Sequence, residues 1–142
     1  MIAVVDASVA AKWVLPEDNS QDARAWLDDE IELVAPESLL AEVASLLWKR
    51  TVRRQLTLAE SSSCLSLLAE MPVELIPTRD LIEDALRLAV LLGHPVYDCL
   101  YVAAAMRHQG KLVTADRRLL GTLAGAGLPQ VACWVGSPRS QG

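Results

Sequence analysis

The apolar run Ile2-Ala3-Val4-Val5 stops at Asp6, and Ala7 and Ser8 follow at once. A short apolar run rich in β-branched side chains reads as a parallel strand buried on both faces, and the small and capping residues behind it read as the turn into a helix. Asp6 is therefore expected at the carboxyl end of a strand. Open α/β sheets collect ligands and catalytic groups at that edge, so the acids that later elements deliver there are the residues to find.

Further along, the pattern alternates. A short helix is expected from Ser8 to Val14 with Ser8 as its N-cap and Pro16 ending it, and a second from about Ser20 to Asp29. Ile31 to Ala35 reads as a strand closed by Pro36, which also starts a helix carrying Leu39, Leu40, Val43, Leu46 and Leu47 at helical spacing, with Glu42 inside it. Thr57-Leu58-Ala59-Glu60 has the form of a capping box. Val73 to Ile76 is a third strand, Thr78 is placed to cap a long helix that Gly93 stops, and Pro95 allows a new start. The next helix holds Asp98 in its first turn and is small and apolar through Val102, Ala103, Ala104 and Ala105. After Gly110, Leu112 and Val113 form a strand that again stops near an acid, Asp116. A last helix over Leu119, Leu120 and Leu123 and a strand from Val131 to Val135 complete the pattern. Strands alternating with helices indicate an α/β, three-layer fold around a mainly parallel five-stranded sheet. One domain over 1–135 is expected, with 136–142 a flexible tail.

Length and composition narrow the class. A chain of 142 residues, 52% of them hydrophobic, suffices for one domain that buries roughly two-thirds of its unfolded surface. The apolar run Cys99 to Met106 falls short of the roughly 18 residues that span a bilayer, and no secretory leader precedes the first strand, so a cytoplasmic protein without a membrane partner is expected. Cys64, Cys99 and Cys133 are far apart among apolar neighbours, which is neither a disulfide framework nor a zinc spacing. The net charge of −5 argues against a polyanionic partner unless the acids are concentrated around metal ions.

Any one of Asp6, Asp98 and Asp116 is explained as well by helix capping as by chemistry. Glu42 is different. It lies at the edge of an apolar stripe with Ser38, Leu39, Ser45 and Leu46 as its helical neighbours, so no basic residue pairs with it along the helix. A half-buried carboxylate calls for an arginine or a metal from elsewhere. Four carboxylates in one cleft call for hard divalent cations, of which magnesium or manganese suits an all-oxygen donor set. His94, beside Pro95, reads as a turn residue and His108 as a complement to a helix C-terminus, so neither supports a transition-metal site. With no phosphate loop, nucleophile elbow or Cys-His pair, metal-assisted hydrolysis is the chemistry left.

Four segments together resemble a known family. They are Val4-Val5-Asp6-Ala7-Ser8-Val9-Ala10-Ala11-Lys12-Trp13, the stretch from Ala35-Pro36-Glu37 to Leu40-Ala41-Glu42-Val43, Gly93-His94-Pro95-Val96-Tyr97-Asp98, and Leu112-Val113-Thr114-Ala115-Asp116. In this order and spacing, over nearly the whole chain, they look like a PIN-domain ribonuclease of the VapC toxin group. The resemblance implies that Asp6, Glu42, Asp98 and Asp116 are catalytic residues binding Mg2+ or Mn2+, with the hydroxyls of Ser8 and Thr114 supporting them. It implies internal cleavage of single-stranded regions of structured RNA and a cognate antitoxin protein as inhibitor. Some members carry a further acid beyond the last one, where this chain has Leu119 and Leu120, which leaves a second metal in doubt. The alternative is a catalytically inactive PIN-like binding or scaffold domain, which would be expected to lack at least one of the acids. A dehalogenase-type phosphatase would place an aspartate where Ser8 stands. A receiver-like module would pair acids at the first strand end.

Two surfaces are also expected. Lys49 and Arg53 lie at i+7 and i+11 from Glu42, on nearly its face and roughly 10 and 16 Å along the axis, forming an RNA-binding ridge. Trp13, Val14, Trp26 and Leu27 read as apolar side chains exposed on the early helices, where a partner helix could dock or a homodimer form.

Overall fold

The computed structural model describes residues 1–137, and the expected tail at 138–142 lies outside the described residues. Its strands are β1 (Ile2–Val5), β2 (Glu32–Pro36), β3 (Val73–Ile76), β4 (Lys111–Thr114) and β5 (Ala132–Trp134). All neighbouring pairs are parallel, in the order β3-β2-β1-β4-β5. Chain order runs outward from β1 through β2 to β3, then returns to the other side of β1 for β4 and β5. The reversal falls between β1 and β4, which is the crevice where such sheets bind ligands. Val5 pairs with Val113, so one residue further on Asp6 stands beside Thr114.

Among the described residues seven α-helices flank the sheet: α1 (Ala7–Val14), α2 (Ser20–Arg24), α3 (Leu39–Val52), α4 (Leu58–Ala69), α5 (Ile82–Leu92), α6 (Val96–Arg107) and α7 (Arg117–Gly125). Their ends correct several expectations. Asp6, not Ser8, caps α1, its carboxylate accepting from the Val9 N–H, because the chain turns into the helix as soon as the strand ends. The second helix stops at Arg24 rather than Asp29. Trp26 turns inward there, and the Asp28 carboxylate takes the Glu30 N–H in a tight turn. Pro36 ends β2 instead of opening α3, since its position is still in register with Ile76. Thr78 opens a single 3-10 turn and α5 begins at Ile82. The Thr57–Glu60 capping box is formed from both sides, and Gly93 closes α5 at φ 62, in the left-handed region that favours glycine.

α6 is the central helix. Cys99 through Ala105 are all buried, and the helix packs against β1, β2 and β4, so a stretch apolar all round is read correctly as a core helix. Trp13 and Trp26 are 4% and 2% exposed, overturning the expectation that they offer a docking surface, while Val14 and Leu27 pack half-buried on the core. Their indole N–H groups explain the burial: Trp13 donates to the Ala23 carbonyl and Trp26 to that of Val135, each at 2.8 Å. An indole satisfied in this way is buried at little polar cost. Gly136 and Ser137, assigned to the tail from sequence, close a turn in which the Ser137 N–H reaches the Trp134 carbonyl at 2.9 Å.

Where α6 passes into β4 the chain crosses β1 closely. A Cβ on Gly110 would lie 2.9 Å from both the carbonyl oxygen and Cγ2 of Ile2. Backbone on one side cannot give way cheaply, so Gly110→Ala should lower stability by about 1–3 kcal/mol, read by urea melts. It should also disturb the β1–β4 register that sets Asp6 beside Thr114.

Candidate metal centre

The edge where β1 and β4 end buries an acid and a hydroxyl side by side. Asp6 is 7% exposed and Thr114 fully buried. The Thr114 hydroxyl donates to Asp6 Oδ2, and the Ser8 hydroxyl donates to Oδ1 at 2.5 Å. Ser8 also accepts the Ala115 N–H at 3.0 Å, and Thr114 accepts the Asp116 N–H at 3.0 Å. The two hydroxyls therefore stitch the ends of β1 and β4 together around one carboxylate. Burial pushes the Asp6 carboxyl up to about 6; the hydrogen bonds from Ser8, Thr114 and Val9 oppose this and the charge of Asp98 adds to it.

Glu42, in the first turn of α3, faces the same place. Its carboxyl is raised, first by burial and further by the charges of Asp98 and Asp6, against the lowering effect of a hydrogen bond from Tyr101. Tyr101 is 1% exposed, and its hydroxyl donates to Glu42 Oε2 at 2.9 Å. The other oxygen, Oε1, and Ser38 Oγ one helical turn back are buried and make no hydrogen bond of ordinary length, although the Ser38 hydroxyl is near enough to lower the Glu42 carboxyl. Asp98 sits in the first turn of α6, with Oδ2 2.6 Å from His94 Nε2. The charge of Asp98 acts on both Asp6 and Glu42, and that of Asp6 on Glu42, so the three side chains lie around one crevice. Asp116 is tied to this edge through its backbone, its N–H donating to Thr114 Oγ1. Its Oδ1 caps α7 by accepting from the Arg118 and Leu119 N–H groups at 2.9 and 3.2 Å, which is the capping role that sequence also allows.

The profile of the PIN domain family matches residues 3–122. The chain belongs to the PIN domain family. It is 37% identical over 118 residues to Ribonuclease VapC3 of Pyrobaculum aerophilum, covering 82% of this chain and 90% of that one. Two solved structures share the fold. One is VapC20 of Mycobacterium tuberculosis, described as a Sarcin-Ricin loop cleaving toxin, with TM-score 0.65 and 19% identity over 89% of this chain and 95% of that one. The other is a toxin-antitoxin complex from Klebsiella pneumoniae, with TM-score 0.62 and 17% identity over 87% and 91%.

In this PIN domain the donors fit a hard divalent cation. Every group is a carboxylate or hydroxyl oxygen, and an orphaned buried carboxylate oxygen such as Glu42 Oε1 is costly unless a cation or donor meets it. Among the described residues no Lys or Arg bridges to any of the four acids. Nor, among them, do three His, Cys, Asp or Glu side chains form a ready-made ligand cage. Magnesium commonly keeps several of its waters and takes only one or two carboxylates directly.

Two polar partners of the acids are missed by the sequence reading. Tyr101 is 59 residues from Glu42, and only the packing of α6 beside α3 brings them together. His94 is in the turn as expected, but its imidazole reaches Asp98 one helical turn on, an association that the i,i+4 spacing could have disclosed. Lys49 and Arg53 are both exposed, with Arg53 the C-cap of α3 rather than inside it. Leu119, in the region where a further acid would stand, is 1% exposed and belongs to the core.

Proposed function

We propose that this chain is a divalent-metal-dependent endoribonuclease, the toxin of a toxin-antitoxin pair. The observation that carries the reading is the gathering of Asp6, Glu42 and Asp98 at the β1/β4 crevice, where the charge of Asp98 acts on both of the others, with the Asp116 backbone tied in through Thr114 and no Lys or Arg bridging to them among the described residues. The relative named as a ribonuclease supports the substrate class. Asp6, Glu42, Asp98 and Asp116 would hold Mg2+ or Mn2+. A cation of this kind supplies Lewis acidity to a phosphoryl oxygen and to an attacking water. The chain's own residues then orient and screen: Ser8 and Thr114 hold the Asp6 carboxylate still, Tyr101 holds Glu42, and the buried floor of β1 and β4 limits access of bulk water. The test is incubation of the purified protein with structured RNAs and mapping of fragment ends. Cuts confined to single-stranded regions support the reading, and intact RNA with either metal contradicts it.

RNA is held by a basic ridge of Lys49 and Arg53 leading out of the acidic crevice. Their exposure and their spacing from Glu42 support this. Neutralising both should weaken RNA binding and flatten the slope of log affinity against log salt, by about 0.7 for each single-strand phosphate that is no longer neutralised, with Mn2+ affinity intact. An unchanged salt slope removes the ridge.

Two protein partners complete the proposal. A cognate antitoxin is supported by the fold shared with the Klebsiella pneumoniae complex. The exposed Trp48, Val52 and Leu58 of α3 and α4, 61%, 62% and 74% accessible, replace the buried early tryptophans as the apolar surface available to it. A homodimer is supported by α5, where Ile82, Leu86 and Val90 form an exposed stripe at i, i+4 and i+8. Asp84, Arg87 and Arg107 line the adjoining groove, so a two-fold copy can set acid against base. Among the described residues no single helix is long and apolar enough to cross a membrane.

A further inference from the structure

The four acids differ in how many of their oxygens are already engaged. Both oxygens of Asp6 accept hydrogen bonds. Each of the others has one oxygen held and one left over among the described residues. Glu42 accepts through Oε2 from Tyr101, and its Oε1 makes no hydrogen bond of ordinary length, with the Ser38 hydroxyl nearby. Asp98 meets His94 through Oδ2. Asp116 accepts two N–H groups through Oδ1. For Asp116 the holding groups are the start of its own helix, an arrangement any N-cap makes. For Glu42 and Asp98 they are side chains with no such routine explanation, and both belong to α6 or the turn that leads into it.

We propose that His94 and Tyr101 are positioning residues of the metal centre: each occupies one oxygen of a carboxylate and so fixes the direction in which the other is presented to the cation. This rests on the reading that a divalent cation binds here. The geometry is that of rigid supports. The His94 side chain is 8% exposed while that of Asp98 is 40% exposed, so a buried ring holds a carboxylate that is open to the crevice. The His94 N–H also bonds the Ala89 carbonyl at 3.2 Å, which fastens the turn behind Gly93 to α5. Tyr101 stands one turn of α6 beyond Asp98 and is buried to the hydroxyl. α6 therefore contributes one ligand directly and orients a second across the crevice. A shift of this helix would misplace both at once. Ligands held by hydrogen-bonded neighbours bind metal more tightly than free ones, and losing such a neighbour commonly lowers affinity about 10–100-fold.

The test is calorimetric titration of Mn2+ into the purified full chain and its His94→Ala, His94→Gln and Tyr101→Phe variants at one pH, with melts of each in chelator. His94→Ala and Tyr101→Phe should each weaken Mn2+ binding about tenfold or more. His94→Gln, which can place an N–H donor at similar reach, should retain most of the affinity. Tyr101→Phe removes a single oxygen and keeps the ring, so it carries the test if His94→Ala does not fold. Melts that drop in chelator while Mn2+ affinity stays at the parental value would make both residues structural and overturn the inference. Failure of the parent itself to bind Mn2+ would instead end the metal reading, and this inference with it.

Discussion

Asp6→Asn should reduce RNA cleavage by about 10³-fold or more while leaving the fold in place. The loss is large because Asp6 is the carboxylate around which the β1 and β4 ends are built, and removing its charge weakens both cation affinity and the field at the scissile phosphate. The fold should survive because amide and carboxylate are nearly isosteric and both neighbouring hydroxyls are adaptable. Ser8 can go on donating to the amide oxygen, and Thr114 can turn from donor to acceptor toward the amide nitrogen. Single-turnover cleavage of a structured RNA, with circular dichroism to confirm folding, measures the two separately. A folded variant that cuts at the parental rate would remove Asp6 from the site.

The same residue should make the metal-free protein sensitive to pH in an unusual direction. Burial raises the Asp6 carboxyl from 3.8 to about 6 in the folded chain, so the folded form holds a proton that the unfolded form releases more readily. The resulting stability is fully present below pH 3.8 and is lost as pH rises through about 6. A shift of this size corresponds to about 3 kcal/mol, and the raised Glu42 carboxyl works in the same direction. Most surface carboxylates act oppositely, so the contrast between parent and Asp6→Asn isolates the effect. In chelator, Asp6→Asn should gain stability relative to the parent between pH 4 and pH 7, read by urea melts at fixed temperature. A constant difference across that range would mean that the Asp6 carboxylate is as comfortable folded as unfolded.

Local pattern carries most of the architecture. The strand that stops at Asp6, the capping box at Thr57 and the left-handed stop at Gly93 are each written in a few adjacent residues, and the alternation of strands with helices follows from hydrophobic period. The acids are legible for the same reason, because strand ends and first helical turns are positions that local sequence marks. Partnerships between distant segments are not. Trp13 and Trp26 look like surface on helical period alone, yet each is buried by a carbonyl that only the tertiary fold supplies, 10 residues away for Trp13 and 109 for Trp26. Tyr101 looks like one more apolar position of a core helix, since nothing near it in sequence names Glu42 as its partner. Ser8 is recognisable as a polar residue near the first acid, but local pattern assigns it the wrong bond. Whether a serine caps a helix or supports the residue that does depends on a two-residue difference in where the cap falls, Asp6 rather than Ser8.

The central claim is that oxygen ligands at the β1/β4 crevice make RNA cleavage depend on a divalent cation, and chelation tests it directly. Purified protein, stripped with chelator and then supplied with Mg2+ or Mn2+, should cut a structured RNA only after the metal is restored, with fragment ends at the same internal positions each time. Cleavage that persists unchanged in excess chelator would contradict the account.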